Sequence, residues 1–165
     1  MSDGTARGHG QFAAWLGLAG SIVLADQAAK WAIAGALRAG ETRELAPFFN
    51  VVLTFNRGAA FSFLSDASGW QREFFIGVAL VATAVILALL WRSAGARLFS
   101  AGLALILGGA LGNLWDRITL GHVVDFLDFH VMGWHWPAFN VADSAITVGA
   151  ALVIIDGLRP RRERR

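Results

Sequence analysis

Apolar and polar residues divide the chain into four long hydrophobic stretches joined by shorter polar connections. Each stretch has at least 17 residues, about the minimum for a helix that crosses a hydrocarbon core of roughly 30 Å. The pattern predicts a single integral membrane domain over residues 1–165. Its four predicted spans cover about residues 12–33, 74–90, 98–115 and 139–155.

Two longer connections, residues 34–73 and 116–138, separate the first span from the second and the third from the fourth. In the first connection, residues 48–55 are rich in β-branched and aromatic side chains, which predicts a strand. A turn at residues 57–60 is expected to follow it, with Asn56 at the end of the strand. The predicted fold class is an all-α membrane protein: four transmembrane helices with a small outer-face β-sheet segment between helices 1 and 2.

A cleavable signal peptide is the alternative interpretation of the first span, because residues 12–25 have the length of a signal-peptide hydrophobic region. However, only Arg7 supplies a basic residue before this region, and apolar residues resume at residues 31–33. Both features favour a membrane span.

The composition also indicates a membrane protein, since 56% of the residues are hydrophobic and only 16% are charged, compared with about 25% charged in soluble domains. The high pI, about 10.4, partly reflects the tail, where residues 159–165 contain five arginines. A basic tail directly after a span is typical of a cytoplasmic anchor that faces anionic lipid. No basic stretch is interleaved with aromatic residues, so no nucleic-acid partner is expected.

Arginines in the connections predict how the spans are oriented. The short connection between the second and third spans holds Arg92 and Arg97 and no acidic residue. Together with the tail, it predicts that both termini are cytoplasmic and that both longer connections lie outside. The first outer segment has arginines of its own, which acidic residues such as Glu41 and Glu44 partly balance.

Asp143 is the clearest candidate functional residue, because an ionisable side chain inside a membrane span is costly. It lies about five residues into the fourth predicted span, roughly 6 Å from the outer end of the helix. Asn140 lies three residues earlier, on the same helical face. The structural alternative for Asp143 is a neutral side chain that is hydrogen-bonded to a neighbouring helix.

Asp125 is the candidate partner of Asp143, because both flank one outer segment and therefore lie at the same face of the membrane. Two carboxylates held close together keep one proton between them, since both cannot ionise cheaply. Such a pair can activate a water molecule against a peptide carbonyl and protonate the leaving amine. Asp116 and Asp128 are also near, and Asp128 is interpreted as a solvated loop residue.

Other catalytic patterns are missing from the sequence. There is no cysteine and no His-Glu-x-x-His motif, and His122, His130 and His135 follow no zinc pattern. No metal and no cofactor are therefore expected. Lys30, the only lysine, is interpreted as the partner of Asp26 in an i,i+4 ion pair, not as the base of a serine nucleophile.

Five sequence blocks follow one another on this hydropathy pattern. They are DQAAK at residues 26–30, FNRGAAFS at residues 55–62, GALGNLWDR at residues 109–117, VVDF at residues 123–126 and FNVADS at residues 139–144. Together, and in this order, they resemble the bacterial lipoprotein signal peptidase family (signal peptidase II) over most of the chain.

The resemblance implies an aspartic endopeptidase of the bacterial inner membrane that removes signal peptides from prolipoproteins, cutting before a cysteine that carries diacylglycerol. It implies that Asp125 and Asp143 are catalytic, at the outer (periplasmic) face. The implied partners are diacylglyceryl-prolipoproteins, membrane lipid and, as inhibitors, cyclic peptide antibiotics such as globomycin. Substrate-binding or positioning roles are implied for Asn56, Asn113, Arg117 and Asn140, and supporting roles for Asp26, Lys30, Gly58, Gly109 and Ala142.

Arg117 has a second interpretation, as an interfacial charge that keeps its head in water and pairs with Asp116. For the whole protein, a small proton-coupled transporter is the main alternative class, because it also needs carboxylates within spans. A transporter would show repeat symmetry and polar residues near the bilayer midplane, whereas this chain has no repeat and its polar residues collect at one face. A structural scaffold gives no reason for polar residues beside the spans. The sequence therefore favours the peptidase.

Overall fold

Helices and a small sheet make up the computed structural model, which describes residues 3–58 and 70–159. The helices are α1 (Asp3–Ala36), α2 (Gln71–Ser93), α3 (Arg97–Thr119) and α4 (Val141–Leu158). The strands are β1 (Thr42–Ala46), β2 (Phe49–Asn56), β3 (Val123–Val131) and β4 (Trp134–His135). Part of the predicted turn at residues 57–60 and most of the basic tail lie outside the described residues.

All four helices are long and apolar enough to cross a membrane, so the predicted four-span fold class is confirmed. Apolar side chains are exposed along α2 and α4, for example Val81 (66%) and Ile154 (60%). In a bilayer, such surfaces face lipid rather than water. α1 also packs against α3, with Ala19 buried at the contact, which favours a permanent span over a cleavable signal peptide.

The central helix of the bundle is α3, which packs against each of the other three helices. Its most apolar stretch is 56% buried, compared with 11% to 17% for the other helices. Glycines allow the close approach of α3 and α4: a Cβ atom on Gly102 would lie 2.7 Å from the carbonyl oxygen of Gly149. Small residues at such contacts are typical of membrane helix pairs.

The strands form an antiparallel sheet in the order β1-β2-β3-β4. The predicted strand at residues 48–55 corresponds to β2. However, β3 and β4 lie between α3 and α4, so the sheet includes part of both longer connections and not only the one between helices 1 and 2. The sequence pattern did not predict β3, because Asp125 and Asp128 interrupt its apolar residues and make the segment look like a polar loop.

A register shift in β2 determines which side chains share a face of the sheet. Val51 pairs with Leu127, whereas Thr54 pairs with Asp125, so β2 has one extra residue between the two pairs. Paired residues, and residues two apart on a strand, share a face. Asn56 and Asp125 therefore lie on the same face; without the shift, they would lie on opposite faces.

Candidate active site

The first turn of α4 is organised by Asn140 and Asp143. Asn140 is the N-cap residue, and its Oδ1 accepts a hydrogen bond from the backbone N–H of Asp143 at 2.9 Å. Oδ2 of Asp143 accepts the backbone N–H of Asn140 at 3.3 Å, which completes a capping box. The Asp143 carboxylate is thereby fixed at the end of the bundle that carries the sheet.

Asp125 reaches the same place from β3, where it is 2% exposed. Its Oδ1 accepts a hydrogen bond from Nδ2 of Asn140 at 2.8 Å, and its Oδ2 accepts one from Nδ2 of Asn56 at 3.1 Å. Because Asn140 contacts both Asp125 and Asp143, it joins the two acids that the sequence pattern paired. We call Asp125 and Asp143 the carboxylate pair.

Asn113, on α3, also contacts the carboxylate pair. Its Nδ2 donates to Oδ1 of Asp143 at 2.8 Å. Its Oδ1 accepts hydrogen bonds from Nζ of Lys30 at 3.1 Å and from Nδ2 of Asn140 at 3.2 Å. Since both neighbours of the amide oxygen are donors, the amide nitrogen is the atom that faces Asp143.

Arg117 lies one turn beyond Asn113, near the end of α3. Its Nη2 donates to the carbonyl oxygen of Gly58 at 2.8 Å, and its guanidinium carbon lies 5.1 Å from the ring centre of Phe75. The alternative pairing with Asp116 does not form, because the Asp116 carboxylate faces a different part of the bundle. Arg117 instead links α3 to the segment after β2 and to α2.

A buried ion cluster lies behind the carboxylate pair. Nζ of Lys30 lies 2.7 Å from Oδ2 of Asp26 and 2.8 Å from Oδ2 of Asp116. The i,i+4 contact between Asp26 and Lys30 is thus present, as the sequence interpretation expected. Gln27 adds a hydrogen bond from its Nε2 to Oδ1 of Asp116 at 2.8 Å. All three charged residues are almost completely buried.

Asp116 and Gln27 are the members of this site that sequence reasoning missed. It considered Asp116 only as a neighbour of other acids and as a partner of Arg117. A usable signal was present, because Asp116 follows Asn113 by three residues and shares its helical face. For Gln27 the signal was weaker, since an amide beside an ion pair is not costly enough in itself to indicate a site.

Three small residues allow the surrounding elements to approach. Ala142 is fully buried, and its backbone N–H donates to Oδ1 of Asp26 at 2.9 Å. A side chain on Gly109 would clash with the carbonyl oxygen of Ala142, so glycine lets α3 lie against the first turn of α4. Gly58 is buried as well, and its N–H donates to Oδ1 of Asn56 at 2.9 Å.

The interpretation of Asp128 as a solvated loop residue is wrong. Asp128 belongs to β3 and is only 6% exposed. Nδ2 of Asn50 donates to it at 2.9 Å, and Nδ1 of His135 lies 2.9 Å from its carboxylate. Burial raises the pKa of Asp128, but these hydrogen bonds outweigh that effect and leave the pKa below its usual value. The contacts depend on pairing between β2 and β3, which sequence spacing could not reveal.

The pKa of Asp125 is raised to about 7. Burial is the largest cause, and the negative charge of Asp143 raises the pKa further. The hydrogen bonds from Asn56 and Asn140 and the positive charge of Lys30 act in the opposite direction but are weaker. Near neutral pH, the carboxylate pair is therefore able to hold one proton.

A cleft of about 670 Å³ adjoins the carboxylate pair, with α2 and α4 at its sides and α3 behind it. Its apolar walls include Val78 and Ala79 from α2 and Ile146 and Val148 from α4. Val78 and Val148 are each about half exposed on the apolar outer surface of the bundle. The cleft is thus accessible from the surface that faces lipid, and two carboxylates with amide donors lie at its polar end.

Two adjoining carboxylates at the polar end of an apolar cleft, held among membrane-crossing helices, are the arrangement expected of a membrane-embedded aspartic hydrolase. Within residues 3–58 and 70–159, no group of three or more His, Cys, Asp or Glu side chains is arranged to hold a metal ion. The chemistry that the described side chains offer at the cleft is acid–base chemistry.

Comparisons with known proteins place the chain within that class. A family model described as Signal peptidase (SPase) II matches residues 18–159. The chain is 54% identical to the lipoprotein signal peptidase of Paraburkholderia phytofirmans over 155 residues, which cover 94% of this chain and 90% of that protein. It is 58% identical to the lipoprotein signal peptidase of Ralstonia nicotianae over 152 residues, which cover 92% of this chain and 87% of that protein.

A solved structure agrees with the sequence relatives. A bacterial membrane enzyme, determined by the in meso method at 2.3 Å resolution, matches with a TM-score of 0.81 and 31% identity, over 93% of this chain and 92% of that chain. The chain therefore belongs to the signal peptidase II family, and it is a membrane peptidase. The resemblance noted in the sequence is confirmed.

Proposed function

We propose that the chain removes signal peptides from diacylglyceryl-modified bacterial prolipoproteins and cuts before the lipidated cysteine. The observation that carries this proposal is the carboxylate pair at the end of an apolar cleft that is accessible from the lipid-facing surface. A lipidated substrate stays in the membrane, and apolar walls suit its acyl chains and its hydrophobic signal peptide. The relatives, which are named lipoprotein signal peptidases, support the same substrate class.

In the proposed reaction, Asp143 is the ionised carboxylate and Asp125 carries the proton. Asp143 takes a proton from a water molecule, whose oxygen attacks the scissile carbonyl carbon, while Asp125 gives its proton to the carbonyl oxygen. The tetrahedral intermediate then collapses, and the carbon–nitrogen bond breaks. Asp143 passes its proton to the departing nitrogen, and Asp125 recovers a proton from a hydroxyl of the intermediate. Both acids thereby return to their starting states.

The asparagines and Arg117 are proposed to position the reacting groups. Asn56, Asn113 and Asn140 each donate to the carboxylate pair, which restricts the directions in which the acids can turn. Arg117 lines the cleft, and its guanidinium has five N–H donors in a rigid fork. That geometry suits substrate carbonyl oxygens or the phosphate of a lipid headgroup.

The proposed location is the bacterial inner membrane, with both termini in the cytoplasm and the active site at the outer face. The short α2–α3 connection lies at the end of the bundle opposite the sheet, and it is flanked by Arg92 in the last turn of α2 and Arg97 at the start of α3. The N-terminal half of α1 belongs to that same end, because Nε1 of Trp15 donates to the carbonyl oxygen of Ala94 at 2.9 Å. The positive-inside rule then assigns this end to the cytoplasm.

Cyclic peptide antibiotics such as globomycin are proposed to inhibit the protein by occupying the same cleft. The cleft, of about 670 Å³, combines apolar walls with the amide and guanidinium donors of Asn113 and Arg117, a mixture that suits a compact peptide with apolar side chains. Such a ligand would exclude both the substrate and the attacking water.

Purified protein, reconstituted in phospholipid vesicles, provides the direct test. It is incubated with a prolipoprotein that carries the diacylglyceryl group and, separately, with the same prolipoprotein without the lipid. The products are analysed by mass spectrometry. We expect a single cut immediately before the modified cysteine, and only in the lipidated substrate. A cut at another bond, or equal cleavage of both substrates, contradicts the proposed substrate class.

A further inference from the structure

The residue before each member of the carboxylate pair is held by an acid of the buried ion cluster. The backbone N–H of Val124 donates to Oδ2 of Asp116 at 3.2 Å. The backbone N–H of Ala142 donates to Oδ1 of Asp26 at 2.9 Å. One cluster acid therefore holds the strand just before Asp125, and the other holds the helix turn just before Asp143.

Lys30 bridges these two acids. Its ammonium group lies 2.7 Å from Asp26 and 2.8 Å from Asp116, and it donates to Oδ1 of Asn113 at 3.1 Å. An ammonium group has three donors, and these three contacts match that number. The third contact orients the Asn113 amide so that its nitrogen faces Asp143. We call Lys30, Asp26 and Asp116 the lysine clamp.

We propose that the lysine clamp is a positioning device that sets the separation of the two catalytic carboxylates. It joins α1, which carries Asp26 and Lys30, to α3, which carries Asp116, and through their backbone contacts to β3 and α4. Four elements of the site, α1, α3, α4 and β3, are thus linked through one ammonium group and its two acids. The inference rests on the proposed function, because it concerns residues that act through Asp125 and Asp143.

Burial makes the clamp suited to this task. Lys30 is 3% exposed, and Asp26 and Asp116 are 0% and 1% exposed. Ion pairs that are shielded from water attract more strongly and are screened much less by salt than exposed pairs. Small displacements in an active site are costly, since a shift of about 1 Å can reduce the rate roughly 100-fold.

The critical variant is the double substitution Lys30→Met/Asp116→Asn. It removes one positive and one negative charge, so the net charge of the cluster is unchanged, but the bridge is lost. We expect kcat for a lipidated prolipoprotein to fall roughly 10- to 100-fold, while KM stays within about threefold because the apolar cleft is intact.

The pH profile separates positioning from loss of folded protein. Asp143, Lys30 and Arg117 are the charged groups that act on Asp125 from the neighbouring helices. The profile is measured with Asp116→Asn, which weakens the bridge but keeps the positive charge of Lys30, because that charge itself lowers the pKa of Asp125. If this variant moves the carboxylates apart, Asp143 affects Asp125 less, and the alkaline midpoint of kcat/KM moves to lower pH. A role confined to joining helices would reduce the amount of folded protein and leave that midpoint where it is.

Ser100→Ala is the matched control, because Ser100 is also a fully buried polar residue of α3 but does not line the cleft. Its hydroxyl donates to the carbonyl oxygen of Ser93 at 2.7 Å. It is expected to lower the Tm but not kcat per folded molecule. If the double variant does not fold, kcat is compared for Asp116→Asn alone, with a smaller decrease expected. The inference is wrong if kcat of the clamp variants and the alkaline midpoint of Asp116→Asn equal those of Ser100→Ala. If Asp125→Asn and Asp143→Asn remain inactive in that case, the proposed function stands without the clamp.

Discussion

Asn140 serves two elements at once, because its side-chain oxygen caps α4 and its amide nitrogen holds Asp125 on β3. An N-cap typically stabilises a helix by about 1 kcal/mol. Here the cap also fixes the orientation of the amide, since the oxygen is engaged by the backbone of Asp143 and only the nitrogen can reach Asp125. Aspartate would cap equally well but could not donate to Asp125, and it would add a third negative charge beside the pair.

The raised pKa of Asp125 leads to a prediction about pH. The proposed mechanism needs Asp125 protonated, and its pKa is about 7. The active form is therefore present at lower pH and is lost as the pH rises through about 7. The measurement is kcat/KM for a lipidated prolipoprotein from about pH 5 to about pH 9. A rate that stays constant up to about pH 9 contradicts the assignment of the proton to Asp125.

The sequence identified functional residues where an ionisable side chain lies inside a membrane span, because that position costs free energy. An acid inside a span stands out against its apolar neighbours, which is why Asp143 was identified, and Asp125 followed from the shared outer segment. Asp128 was misjudged because its burial depends on Asn50 and His135, which reach it only through strand pairing. Asp116 was undervalued because its partner, Lys30, is on another helix.

At the level of elements, the contact between α3 and the first turn of α4 determines where Asp143 lies. Gly109 packs directly against the backbone of Ala142, the residue before Asp143. Neither partner can move without displacing its helix, because both contacting groups belong to the main chain. The carboxylate position thus depends on the absence of a side chain on α3.

Gly109→Ala is therefore expected to reduce both activity and stability. The added methyl group would clash with the Ala142 carbonyl group and push α4 away, and overpacking of this kind typically costs about 1–3 kcal/mol. The matched control is Gly77→Ala, since a Cβ atom at Gly77 on α2 meets nothing within 4 Å. Tm and cleavage rate are measured for both variants. Equal behaviour of the two variants contradicts the proposed importance of the α3–α4 contact.

Elements differed in how well the sequence predicted them. The helices were predictable because a chain in lipid must satisfy its backbone hydrogen bonds internally, so each apolar stretch of sufficient length becomes a helix. β2 was predictable from its β-branched and aromatic residues. β3 was not predictable, because its strand structure depends on pairing with β2. The register shift between Val51 and Thr54 was not predictable either, because it does not change the local composition.

At the level of the whole molecule, the bundle has two distinct ends. The sheet and the carboxylate pair occupy one end, and the short α2–α3 connection, flanked by Arg92 and Arg97, occupies the other. Because both carboxylates lie at the same end of the bundle, a substrate held in the membrane can reach them together. This arrangement also means that orientation in the membrane decides on which side of the membrane the product is released.

Orientation is testable with single cysteines, because the natural chain contains none. Thr42→Cys lies on the exposed edge strand β1, and Ala96→Cys lies in the exposed α2–α3 connection. In intact inner-membrane vesicles of known sidedness, a membrane-impermeant maleimide should label the two positions from opposite sides, Thr42→Cys from the outer side. Labelling of both positions from the same side contradicts the four-span arrangement.

The proposed activity requires Asp125 and Asp143 to hydrolyse the peptide bond together. Asp143→Asn keeps the size of the side chain but removes the base. The most direct test is single-turnover cleavage of a diacylglyceryl-modified prolipoprotein by this variant, beside Asp128→Asn, which changes another buried acid outside the cleft. We predict that Asp143→Asn lowers the rate about 1,000-fold or more and that Asp128→Asn stays close to the parent protein. Cleavage by Asp143→Asn within about tenfold of the parent rate would contradict this requirement.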